Sequence, residues 1–351
     1  MKKTLKAAVA LSVLSAPAYA ANLENPLYMP SQGSVYSKTS AGVMYKVADD
    51  TAAMKAKEHD GATEFPIWRL HEELGYGILD NLELYLKVGY THDDDIARKG
   101  MHQGRAGLKY RALDTEGWIW DLYADAHLGG ISEMTGAYTA NGFNYDNYSN
   151  GRWGFHVGTQ VGKQWEKFNV SGFVEALRTF GNDNNAIDIS SMAALANASA
   201  SSAAGGMPIT MLPDEISVDL KSTTEINAGL KAFYQLNDKW SFGGGLTYKH
   251  HSDNGVEGLA TDLPVINTGV APLDTALTAS QQQTVNGLLD KVKDMEDGFD
   301  EYIIGLSAAY QMTDATQVAV YGEYTFDSSH SQSQNGTDVK AELGVRLNVQ
   351  F

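Results

Sequence analysis

Two short runs hold the side-chain types from which hydrolytic sites are built: His92-Asp93-Asp94-Asp95 and His250-His251-Ser252-Asp253. An aspartate beside a histidine can activate a water molecule, and a serine within reach of a histidine can become a nucleophile. Adjacency in sequence does not set that geometry, and acidic residues at loop edges are commonplace in a chain with 43 Asp and Glu against 26 Lys and Arg. Asp93 to Asp95 offer hard oxygen ligands of the kind Ca²⁺ and Mg²⁺ take, but the glycine and distal glutamate of a calcium loop are missing. Neither run specifies a catalytic residue or a metal site, no cofactor is implied, and the expectation is a chain that is not an enzyme.

A larger set of charges recurs at alternate positions. Lys87 lies between Leu86 and Val88, Lys109 between Leu108 and Tyr110, and Asp121 and Asp125 are spaced in the same way within Trp118 to His127. Residues two apart on a strand share a face, so each such segment has one apolar and one charged side. On this reading Arg69, Lys87, Arg105, Lys109, Arg111, Asp121, Asp125, Glu323, Lys340, Glu342 and Arg346 all look towards one interior, with Lys231 among the further charges on that side. The locally basic group Lys87, Arg105, Lys109 and Arg111 would form an anion track, unless Asp121 and Asp125 opposite neutralise it.

The elements that must present these faces are strands. Val339 to Phe351 alternates apolar and polar residues without a break and ends on an aromatic residue. The same period of two runs through Val35 to Val47, Phe65 to Ile78, Leu82 to Thr91, His102 to Arg111 and Trp118 to Leu128. It returns in Trp153 to Val161, Phe168 to Phe180, Ser222 to Gln235, Trp240 to His251, Asp300 to Gln311 and Thr316 to Asp327. That makes about twelve strands, joined alternately by short turns and long polar loops. Aromatic residues gather at strand ends: Tyr110, Trp118, Phe168, Tyr234, Trp240, Tyr310 and Phe351 at the short-turn side, and Trp68, Tyr90, Trp153, Phe180, Tyr248 and Phe326 at the other. Glu72 falls on the apolar face of its strand, where a charge facing lipid costs a few kcal/mol, so a bulge or a different register is expected there. Of the two longest loops, 182–220 contains the small-residue tract Ser190 to Gly206. In 252–298, Ser280 and Gln283 have capping-box spacing, and Val285, Leu288, Leu289, Val292 and Met295 follow a helical period, which predicts a helix from Ser280 to Met295.

The chain opens with Lys2, Lys3 and Lys6, a short apolar run and Ala18-Tyr19-Ala20, which reads as a signal peptide over 1–20. Residues 21–32 are then a periplasmic lead-in, and 33–351 the strand-rich body. The absence of cysteine excludes a disulfide-stapled scaffold, and a net charge of −17 disfavours nucleic acid as a partner.

The leader, the dyad repeat, the alternation of turn and loop lengths and the terminal Phe351 together resemble Gram-negative outer-membrane β-barrel proteins. The resemblance implies an all-β fold: a transmembrane antiparallel up-and-down barrel in the cell outer membrane. Outer-membrane lipid and lipopolysaccharide would surround it, and Phe351 would serve as the signal read by the barrel-assembly machinery. The expected function is a passive or weakly selective channel for small hydrophilic solutes, with the eleven charged residues named above lining its pore. The alternative is a structural or surface-interaction barrel with a plugged lumen and functional extracellular loops. A third is a hydrolase, since proteases resembling the omptins keep Asp and His pairs at outer strand ends.

Overall fold

The computed structural model describes residues 22–47, 67–93, 98–128, 134–135, 144–145, 153–252, 256–259, 262–295, 299–326 and 339–351. Twelve long strands form the wall. They are β1 (Val35–Val47), β2 (Ile67–Leu79), β3 (Leu82–Asp93), β4 (Arg98–Thr115) and β5 (Trp118–His127), then, after the two-residue strands β6 (Met134–Thr135) and β7 (Asn144–Tyr145), β8 (Gly154–Gln164) and β9 (Phe168–Thr179). Beyond β10 (Asn182–Asp188) and β11 (Glu215–Leu220) come β12 (Thr223–Gln235) and β13 (Trp240–His251), and beyond β14 (Val256–Leu259) come β15 (Phe299–Thr313), β16 (Thr316–Phe326) and β17 (Val339–Gln350).

Each wall strand pairs with its neighbours in the chain, and β17 returns to pair antiparallel with β1, from Tyr36 opposite Gln350 to Val47 opposite Val339. The ring of backbone hydrogen bonds is therefore closed, which leaves no free sheet edge. Phe351 takes part through its backbone: its N–H donates to the Val35 carbonyl at 2.8 Å, and the Val35 N–H donates back at 3.3 Å.

Burial is inverted relative to a water-soluble protein. Leu84, Leu86, Leu108, Leu122, Val157, Val174, Leu230, Ile304, Val320 and Leu343 are exposed on the outer face, whereas Glu83, Asp121, Asp125, His156, Gln160 and Glu342 are buried inside. An exposed apolar surface of this extent needs a nonpolar solvent, and an acyl-chain bilayer is one. Aromatic side chains sit where the strands end. Trp240 and Tyr310 pair at 4.9 Å at the short-turn side, and Tyr248 and Tyr302 pair at 5.4 Å near the other end. The turn Glu116-Gly117 has positive φ at both central residues (49° and 76°), the twist that fits a two-residue hairpin.

At Glu72 the structure corrects the sequence reading. The β1 to β2 register runs without interruption from Val35 opposite Tyr76 to Met44 opposite Ile67, so neither a bulge nor a shift moves Glu72. It stays on the outer face, where the hydroxyls of Ser37 (2.6 Å) and Thr39 (2.5 Å) on β1 donate to its two oxygens. Those bonds offset part of the cost of removing a carboxylate from water.

The long-loop end is more ordered than the sequence implied. Strands β7, β10, β11 and β14 form a separate four-stranded sheet. The small-residue tract is a helix, α1 (Ser190–Ala203). The second helix, α2 (Ala271–Met295), starts nine residues before Ser280, so the capping-box reading of Ser280 is wrong. Asp274 does the work at that end, its Oδ1 accepting from the Thr268 N–H and hydroxyl at 2.6 Å each. Ala200 of α1, Leu277 of α2, Met211 and Ile266 make a small apolar core. Asn197 stitches it to the following loop: its Oδ1 accepts from the amides of Met211 (2.6 Å) and Leu212 (2.8 Å), and its amide donates to the Leu212 carbonyl (3.0 Å). Of the predicted helical stripe, Val285 is fully buried, and the side chains of Leu288, Leu289, Val292 and Met295 lie outside the described residues.

Candidate functional site: the lumen and its short-turn mouth

The inward faces of β1 to β5 and β8 carry most of the interior charge, and the sheet register decides which charges meet. Asp125 on β5 lies opposite His156 on β8 and Gly107 on β4. Its carboxylate takes Arg105 in a two-pronged contact (Nε to Oδ1 2.7 Å, Nη2 to Oδ2 2.8 Å), the Tyr85 hydroxyl at 2.6 Å and His156 Nδ1 at 2.8 Å. Four residues nearer the short-turn end of the same strand, Asp121 receives Arg111 (Nε 2.9 Å, Nη2 3.2 Å) and lies 3.5 Å from Lys109 Nζ. Lys87 and Lys38 flank Glu73 at 3.0 and 3.2 Å. Paired arginine and carboxylate groups with their remaining donors satisfied form fixed wall structure. Each member of the basic group Lys87, Arg105, Lys109 and Arg111 thus has a carboxylate beside it.

On the opposite side of the closure, Arg69 of β2 reaches Glu342 of β17 at 3.3 Å, and the Tyr321 hydroxyl donates to the same carboxylate at 2.9 Å. Arg346 stacks on the Tyr321 ring at 4.9 Å and pairs with Glu24 at 3.0 and 3.1 Å. Glu323 faces the open lumen. The Lys340 side chain lies outside the described residues.

Glu24 belongs to a part of the site that the sequence did not single out. Residues 22–34 lie across the short-turn mouth of the barrel and are held by strands around its circumference. Asn348 of β17 donates to Glu24, Gln317 of β16 donates to Asn22, and Asn22 donates to Gln235 of β12, at 2.7 to 3.0 Å. From the other side, Gln160 of β8 reaches the Pro26 carbonyl, Arg111 the Leu27 carbonyl and Lys109 the Tyr28 carbonyl, at 2.7 to 2.8 Å. Leu23 and Leu27 are buried among these polar contacts. Nothing in the composition of Asn22 to Ser34 marks it as lumenal, because the strand partners named above lie 81 to 324 residues away in the chain.

Space remains inside the wall. A cavity of about 370 Å³ is lined by Lys38, Arg69, His71, Glu73, Lys87, Glu323, Glu342 and Arg346 among others. A second, of about 190 Å³, lies against β12, β13 and β15 and reaches Glu24 and Pro26 of the crossing segment. The two share Tyr321, Glu323 and Arg346, so they adjoin within one lumen.

Of the two runs with hydrolytic side chains, Asp253 lies outside the described residues, and the second run makes contacts through His250 and Ser252. His250 Nδ1 is 2.8 Å from Asp300 Oδ1, which also accepts from the Tyr248 hydroxyl at 2.7 Å. Ser252 Oγ accepts the Thr224 backbone amide at 2.8 Å, and no bond joins it to His250 among the described residues. Asp94 and Asp95 lie outside the described residues. Among those described, no three His, Asp or Glu side chains converge in a metal-binding arrangement.

A closed twelve-strand wall, apolar outside and charged within, is the fold of the outer-membrane β-barrels, and this chain is a barrel of that class. An outer-membrane channel from Pseudomonas putida F1 shares the fold, with a TM-score of 0.53 at 13% identity over 94% of this chain and all of that one. The NanC porin (TM-score 0.42, 10% identity, 90% of this chain and 98% of that one) and the CymD monoaromatic hydrocarbon channel (0.44, 7%, 96% and 94%) are more distant. No protein-family profile matches the chain, and no curated protein does.

Proposed function

We propose that this protein is a passive, weakly selective channel for small hydrophilic solutes in the outer membrane. The observation that carries the reading is the pair of adjoining cavities inside a wall of ion-paired residues. A lumen meant only as a rigid staple would fill that space with side chains, as small barrels do. Charges of both signs along the wall make a transverse field that orients polar solutes without strongly favouring either ion. The crossing segment narrows the short-turn mouth, and the folded loops at the other end set what can approach. Conductance of the purified protein in planar bilayers tests this: small stepwise currents are expected, and silence over a wide voltage range would remove the channel reading.

The second reading is a closed barrel whose outer loops bind a partner. The observation in its favour is the anchoring of residues 22–34 across the mouth. Silence before and after removal of that segment, together with an envelope phenotype on deletion of α1 and α2, would favour it.

A further inference from the structure

The lumen is lopsided. On β2 and β8 the inward glycines are covered by aromatic rings: a Cβ at Gly75 would lie 2.1 Å from the Tyr36 ring, and one at Gly158 would lie 2.3 Å from the Tyr123 ring. On the far wall, Gly305 of β15 has, among the described residues, only Glu323 within 4 Å, with Cγ 3.7 Å from a Cβ built there. Gly243, Gly245, Thr247 and Ser307 complete that face of the 190 Å³ cavity. Small side chains on one wall and packed rings with salt bridges on the other put the free cross-section off-centre.

Two opposite charges border this free space without being engaged by protein carboxylates or amines. Lys231 on β12 lies over the Phe173 ring at 4.4 Å and makes no ion pair among the described residues. Glu323 on β16 faces the same cavity and, among the described residues, makes neither an ion pair nor a side-chain hydrogen bond. Both contrast with Asp125, Asp121, Glu73 and Glu342, whose carboxylates are each held by a cation of the wall. We propose that solutes cross along the β12, β13, β15 and β16 wall, and that Lys231 and Glu323 select small zwitterionic solutes of amino-acid size there. A carboxylate would meet Lys231 and an ammonium group Glu323, each replacing water lost on entry. This rests on the channel reading and specifies its route and its substrate class.

The test uses full-length protein in liposomes and planar bilayers. Gly305→Trp fills the free space and should lower conductance by about tenfold, whereas Ala308→Trp, which adds the same bulk on the lipid side of the same strand, should leave it at the wild-type level. Wild-type liposomes should swell faster in L-alanine than in arabinose, and Lys231→Met and Glu323→Gln should each abolish that difference. These two variants add no bulk, so they decide the matter if Gly305→Trp does not fold. Wild-type conductance in a folded Gly305→Trp protein would overturn the route. Equal swelling of wild type in both solutes, or a preference that survives both charge variants, would overturn the selectivity. Silence of the wild type would instead remove the channel reading itself.

Discussion

Asp125 shows how the interior charges hold the wall. Four donors from three other strands meet on one buried carboxylate, so Asp125→Ala leaves Arg105 and His156 without their acceptor in a confined space. Such a loss costs about 3–5 kcal/mol. Guanidinium unfolding in lipid vesicles, followed by tryptophan fluorescence, should report a drop of that size, and a change under about 0.5 kcal/mol would mean the hub is not a stabilising element. The alternation of residue types placed these charges on one face, because the period of two is a local property. It did not pair them, because Asp125 finds His156 and Arg105 through strand register and rotamer, neither of which the spacing encodes. Glu72 shows the same limit from the other side: its position was legible, but the two hydroxyls that satisfy it belong to another strand.

The wall strands were readable as elements because each carries its own pattern, whereas of the pieces that cap the barrel only the Ser280 to Met295 part of α2 was. Helix α1 is mostly alanine and serine, and among its described residues Ala196 and Ala200 pack in the cap core, so no stripe of large apolar residues announces it. Asn197 substitutes for bulk by saturating the backbone of Met211 and Leu212. Asn197→Ala leaves two amides and a carbonyl without partners, at about 1–3 kcal/mol for the cap. Faster proteolysis of residues 190–212 with an unchanged barrel is the expected outcome, and identical cleavage rates would contradict it. Residues 22–34 are the other unpatterned element. Removing the Glu24 carboxylate by Glu24→Ala releases Arg346 and Asn348, and in bilayers the mean conductance should rise. An unaltered current would show that the segment stays seated without this anchor.

At the scale of the whole molecule, the closed hydrogen-bond ring and the apolar exterior demand a membrane, and the register of β17 on β1 makes the last strand as essential as the first. Heat-resistant compactness in detergent should therefore be lost when residues 340–351 are removed, and kept when the cap helices are removed. Retention of a compact, heat-modifiable band after removal of the last strand would contradict closure through β17. The most direct measurement of the central claim, that the lumen conducts, is planar-bilayer recording of full-length protein beside a variant lacking residues 22–32. Small steps from the first and larger steps from the second are predicted; no current from either would contradict the channel.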